Sequence, residues 1–230
     1  MAPKILVVLT SHNQLGSSGK PTGWYLPELA HPYNVFVKAG AELAFASPKG
    51  GVAPLDPASV ELFKEDAASQ EFLKNHKEVW ETTKPLSEFT NAAETYDAIF
   101  FPGGHGPMYD LATDAQSHKI IADFASKGKV VAAVCHGPAA LVNVKLPDGT
   151  ALLKGKQVTG FSNLEEDQVQ LSAFQPFELE TELGKASGGK YVKAAEPWAE
   201  YVVVSGNVIT GQNPASSHKL GEEVIKALKA

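Results

Sequence analysis

The chain has one cysteine, Cys135, at the end of an apolar run. Val130–Val134 lead into it, His136, Gly137 and Pro138 follow, and a helical pattern resumes at Ala139. This is the layout of a nucleophile elbow, in which a strand turns sharply into a helix and carries the nucleophile at the turn. Ala133 and Gly137 flank it, both small enough for a crowded backbone. A thiol there would meet a helix N-terminus and a neighbouring imidazole, which predicts a depressed pKa and covalent attack on an electrophile. A lone cysteine is more often a buried small hydrophobe. The strand–Cys–His–Gly–Pro–helix order outweighs that ordinary fate.

A second candidate is the loop after Ala98–Phe101, where Pro102, Gly103, Gly104, His105 and Gly106 come in sequence. Glycines let backbone amides come close to a ligand. Beside Cys135, the amides of Gly103, Gly104 and His105 would form an oxyanion hole for substrate. The plainer alternative is a tight strand–helix turn. A phosphate loop is disfavoured, because no Lys-Ser/Thr follows at the required spacing. Glu28 follows Pro27, a residue suited to a first helical turn, and would sit at the same sheet edge as Cys135. Glu165, Glu166 and Asp167 come after Gln157–Phe161; one of them would orient an imidazole, as the third member of a triad does. Spacing does not choose among the three. No metal motif is found: His31 and His218 lack a histidine at helical spacing, and there is no HExxH.

These residues need strands to hold them. Apolar runs of strand length recur at Ile5–Leu9, Leu43–Ala46, Ala98–Phe101, Val130–Val134, Val158–Phe161, Tyr201–Val204 and Val208–Thr210. Several are continuous rather than alternating, as in strands covered on both faces of a parallel sheet. Helical patterns lie between them at Leu29–Lys38, Asp114–Lys127 and Ser217–Lys229. The alternation predicts an α/β fold: a doubly wound, mostly parallel sheet flanked by helices, a flavodoxin-like sandwich. Residues 54–95 read as a helical insertion packed over one edge, within one domain spanning 1–230. In such sheets function gathers at the carboxyl ends of the strands, where each candidate falls.

Composition narrows the functions. The 230 residues carry 20 basic and 26 acidic side chains, a formal net charge of −6, and every basic residue is lysine. Without arginine, and with an acidic balance, nucleic-acid binding is disfavoured. With 43% hydrophobic residues the chain is an ordinary globular one rather than a disordered one. Ile5–Leu9 is too short for a signal sequence or a membrane span, which leaves the cytoplasm as the expected compartment, with the nucleus open.

Taken together, Thr22–Gly23 with Glu28, Pro102–Gly106, Ala133–Pro138, Val158–Phe161 and Thr210–Ser216 resemble the ThiJ/PfpI superfamily. Its fold is like that of class I glutamine amidotransferases. Within it the chain looks like the heat-shock/glyoxalase III branch. The resemblance implies a cofactor-free, glutathione-independent enzyme, a lyase converting methylglyoxal and water to D-lactate, with glyoxal as a related substrate. It implies catalytic roles for Cys135, His136 and Glu28, and for Glu166 as third acid; a one-residue shift would put Glu165 there instead. It also implies homodimers, and branch members are described as stress-responsive holdase chaperones for unfolded clients or as protein deglycases. A cysteine peptidase or amidase is the remaining alternative, opposed by Trp24 and Tyr25 read as a lid over the cleft.

The chemistry expected is attack of the Cys135 sulfur on the aldehyde, giving a hemithioacetal. The amides of Gly104 and His136 hold the oxyanion. A proton then moves from C1 to C2 with Glu28 or His136 as base, and the thioester formed is hydrolysed.

Overall fold

The structure is a computed structural model and describes residues 2–229. Its centre is a seven-stranded sheet: β1 (Lys4–Val8), β2 (Glu42–Ser47), β3 (Lys84–Pro85), β4 (Ala98–Phe101), β5 (Val130–Val134), β6 (Val202–Ser205) and β7 (Val208–Gly211). The order is β3-β2-β1-β4-β5-β7-β6. Every neighbouring pair is parallel except β6–β7, an antiparallel hairpin at one edge. The central strands are the continuous apolar runs. Ile5–Val8, Ala98–Phe101 and Val131–Val134 are fully buried, because helices cover both faces.

The helices are α1 (Leu26–Lys38), α2 (Pro57–Leu62), α3 (Ala67–Asn75), α4 (Glu78–Glu81), α5 (Ala92–Thr95), α6 (Ala115–Ser126), α7 (Asn163–Gln168), α8 (Leu179–Ser187) and α9 (Ser217–Lys229). On one face α1 packs against α9 and α3, and Phe36 of α1 meets Phe100 of β4 edge-to-face. On the other, α6 packs over β4 and β5. Asp114 caps α6 by accepting from the Ser117 N–H, an ordinary N-cap that ends the preceding loop. Among the described residues no helix is long and apolar enough to cross a membrane.

Two elements differ from expectation. Val158–Phe161 is not a strand; it is buried, with a single bridge from Val158 to Tyr191. The 54–95 insertion is mostly helical, yet it also supplies the edge strand β3, which pairs with β2 through Ala46 and Ser47.

Candidate active site

The parallel register brings three strand ends together. Val7 lies beside Phe100 and Phe101 beside Ala133, so the loop after β4 meets the turn after β5. Cys135 occupies that turn with φ 59°, a left-handed conformation that costs a side-chain-bearing residue energy and persists only where neighbours hold it. Here they hold it from both sides: its N–H donates to Gly211 O (3.0 Å), and its carbonyl accepts from Phe161 N–H (2.8 Å). The elbow therefore has a strained nucleophile position. The chain then enters a five-residue 3-10 helix, Gly137–Leu141, rather than an α-helix, so the dipole expected to ionise the thiol is short.

Glu28 reaches the same point from α1. Pro27 sits in the first turn of that helix, and the carboxylate Oε2 accepts from the Gly103 N–H at 2.8 Å. A Cβ at Gly103 would lie 2.6 Å from Glu28 Oε2 and 2.6 Å from His136 N, so only glycine permits this approach. Gly103 thus anchors Glu28, and its amide is not free for an oxyanion; this corrects its expected role. Gly104, at φ 84°, and His136 are different. Among the described residues neither N–H donates to a backbone acceptor. Both border a cavity of about 270 Å³ together with Tyr25, His105, Cys135 and Phe161. A larger groove, about 840 Å³, lies between β2 and the insertion, away from all of these groups.

His136 links the thiol to an acid. Its Nδ1 is 3.3 Å from Cys135 Sγ, and its Nε2 is 2.6 Å from Glu166 Oε2. The same carboxylate meets His105 Nε2 through Oε1 at 2.9 Å. Glu166, on α7, is therefore the acid on the imidazole. Glu165 is spent elsewhere. It closes a capping box with Ser162 and accepts from Gln212, Asn213 and the Trp198 N–H. That clamp fixes the register of α7, which turns Glu166 toward the two histidines.

Charge states are set by these surroundings. Burial pushes the Glu28 carboxyl up to about 8, opposed by the nearby Cys135 thiol and by the hydrogen bond from the Gly103 N–H. Its Oε1 is buried with no conventional partner, and the thiol is the polar group beside the carboxyl. Burial also pushes the thiol up, and an ionised Glu28 would push it further, so the depressed pKa expected for Cys135 is not what its surroundings favour. The two groups form one coupled pair that carries at most one negative charge near neutrality. Burial and the neighbouring His105 keep His136 neutral. Glu166 resists its own burial because His136 and His105 hold its carboxyl well below the usual range. An ionised Glu166 accepts the Nε2 proton of His136, leaving the Nδ1 lone pair toward sulfur.

The fold thus gathers Cys135, His136, Glu28, Glu166, Gly103, Gly104 and His105 at one sheet edge. Trp24 does not join them: it is fully buried against Phe72 and Trp80, so it is a core residue and not a lid. Gln212, Asn213 and Trp198 were missed as supports of α7. The polar Gln212–Asn213 pair directly after a strand was the available signal.

A model of the DJ-1/PfpI family matches residues 23–227. The chain is 34% identical to Glyoxalase 3 of Candida albicans, covering 98% of each. It is 33% identical to the glutathione-independent glyoxalase HSP31 of Saccharomyces cerevisiae, covering 100% of each. The crystal structure of glyoxalase III from Candida albicans superposes with a TM-score of 0.89 at 33% identity, over 98% of this chain and 97% of that one.

Proposed function

The chain belongs to the DJ-1/PfpI family, and on that premise we propose that it is a glutathione-independent glyoxalase acting on small dicarbonyls such as methylglyoxal. The observation that carries this is the thiol of Cys135 held between an unpartnered buried carboxyl oxygen and an imidazole whose far side rests on a carboxylate.

His136 Nδ1 takes the thiol proton as sulfur attacks the aldehyde carbon. The S–C bond forms, and the carbonyl π electrons move to oxygen, an oxyanion to which the Gly104 and His136 N–H groups donate hydrogen bonds. Glu166 stabilises the imidazolium, which returns the proton to give the hemithioacetal. Because Nδ1 of His136 faces sulfur, Glu28 is the better-placed base for the next step. Its ionised carboxylate removes the C1 proton, giving an enediolate; the hydroxyl proton passes from the C1 oxygen to the C2 oxygen, and Glu28 returns its proton to C2. That yields a lactoyl thioester on Cys135. A pKa near 8 makes Glu28 a much stronger base than an ordinary carboxylate. Water then attacks the thioester, the C–S bond breaks, sulfur regains its proton, and lactate leaves. Oxidation at C1 balances reduction at C2, so the overall change is addition of water to methylglyoxal with no external oxidant.

A second reading rests on the mouth of the cavity, where Leu62 (70% exposed) and Trp198 (41% exposed) offer apolar surface to an unfolded client. The glyoxalase reading is tested by measuring D-lactate from methylglyoxal without glutathione. Wild type should form it and Cys135→Ala should not; lactate from Cys135→Ala at the wild-type rate would refute it.

A further inference from the structure

We infer that His105, His136 and Glu166 form a binding site for one divalent transition-metal ion, zinc above all, and that an ion held there switches the thiol chemistry off. Each residue offers one ligand atom, and the three atoms lie within 4.8 Å of one another. They come from three separate elements, so no sequence spacing announces the set. Glu166 already spans the two rings, with Oε1 2.9 Å from His105 Nε2 and Oε2 2.6 Å from His136 Nε2. Two imidazoles and a carboxylate are a common zinc donor set. Tetrahedral zinc, with ligands at about 2.0–2.2 Å, needs donors about 3.4 Å apart. Modest side-chain rotations supply that, and both histidines border the active-site cavity, which leaves a fourth position for water.

His105 strengthens the case. Orienting His136 requires one carboxylate and nothing more, yet Glu166 is shared with a second imidazole that the proposed reaction does not use. The ring centroids of His105 and His136 are 4.2 Å apart, and both rings turn Nε2 toward the same carboxylate.

The consequence for catalysis lies in the tautomer. In the metal-free site Nε2 of His136 carries the proton, and Nδ1 is free to accept from Cys135. An ion on Nε2 needs that lone pair, so the proton of the neutral ring must move to Nδ1. The ring then presents N–H to the sulfur and cannot take its proton. No proton is lost and nothing is oxidised; the base is simply occupied. This inhibitory half rests on the glyoxalase reading, whereas the binding half stands without it.

The test uses the full chain freed of metal with a chelator, titrated with Zn²⁺ by calorimetry and with Co²⁺ by visible absorption. We expect one ion per chain. His105→Ala and Glu166→Gln should each weaken binding by at least about tenfold. Cys135→Ala should bind as wild type does, without change in the cobalt spectrum, since sulfur is not a ligand. Should His105→Ala fail to fold by circular dichroism, His105→Asn takes its place. In wild type, lactate formation should fall in step with zinc occupancy and return with chelator. Absence of saturable binding would overturn the site. So would binding kept by His105→Ala and lost in Cys135→Ala, which marks a thiol adduct. Zinc bound at the expected residues with turnover unchanged would overturn the switch. Failure of the glyoxalase reading itself would show separately, as no lactate from metal-free protein.

Discussion

Replacing Glu28 by glutamine should slow the enzyme and remove a loss of stability that the wild type suffers as pH rises. The carboxyl is fully buried, and burial raises its pKa from an ordinary 4.5 to about 8. Between those values the folded chain keeps a proton that the unfolded chain releases. Stability conferred by this group is thus complete below the lower value and is lost as pH rises toward the upper one. At about 1.4 kcal/mol per pH unit, the wild type should lose about 3 kcal/mol relative to Glu28→Gln between about pH 5 and about pH 7.5. Glutamine keeps an acceptor for the Gly103 N–H, so the anchor survives. Its amide adds a buried N–H beside the sulfur, and leaving that unpaired costs about 1–3 kcal/mol at every pH. The offset between the proteins is therefore uninformative, whereas the change of offset with pH isolates the ionisation. Urea unfolding at several pH values measures it. Parallel stability curves would refute a raised Glu28 pKa, and with it the case for Glu28 as a strong base.

Glu166→Gln should lower kcat by about 10²–10⁴ with little change in KM, because the amide no longer fixes the His136 tautomer; steady-state kinetics on methylglyoxal checks this, and an unchanged kcat would remove Glu166 from the reaction. Glu165→Ala should destabilise the fold by about 2–4 kcal/mol, since Gln212, Asn213, Ser162 and the Trp198 N–H lose their buried acceptor. Denaturant unfolding reads that out, and an effect under about 1 kcal/mol would contradict the clamp. Cys135→Ser should abolish lactate formation yet suppress aggregation of a heated client as well as wild type does, because the apolar rim at Leu62 and Trp198 is untouched. Loss of both activities together would tie them to one site.

The sheet was largely legible because its central strands are buried on both faces and so are written as unbroken apolar runs. Val158–Phe161, with Thr159 and Gly160 between its apolar ends, is buried without being a strand: its burial comes from packing beside the elbow, where Phe161 N–H binds the Cys135 carbonyl. β3 was hidden for the opposite reason, being two residues, one of them proline, with no apolar pattern to display. At the site, the cysteine elbow was legible because local sterics demand small neighbours. The choice of Glu166 over Glu165 was not readable from the residues alone, and only the family resemblance pointed to it. It depends on which side of a short helix turns inward, and Gln212 and Asn213, far along the chain, set that by clamping Glu165. His105 meeting Glu166 was equally invisible, because one follows β4 and the other lies on α7, and only tertiary packing brings them together. The expectation of a depressed thiol pKa rested on a helix N-terminus after Cys135 and on the neighbouring imidazole; the chain supplies a short 3-10 helix and burial instead.

The central claim is that methylglyoxal becomes covalently attached to Cys135 and rearranges there. Acid-quenched single turnovers, followed by peptide mass spectrometry, address it directly, because hemithioacetal and lactoyl thioester both add one methylglyoxal mass to the same sulfur. Wild type should show that adduct on the Cys135 peptide, rising and decaying as lactate accumulates, with the thioester fraction released by hydroxylamine. Glu28→Gln should hold the adduct as the hemithioacetal, which hydroxylamine releases as methylglyoxal oxime and not as lactohydroxamate. Lactate accumulating while Cys135 stays unmodified throughout the turnover would contradict the mechanism.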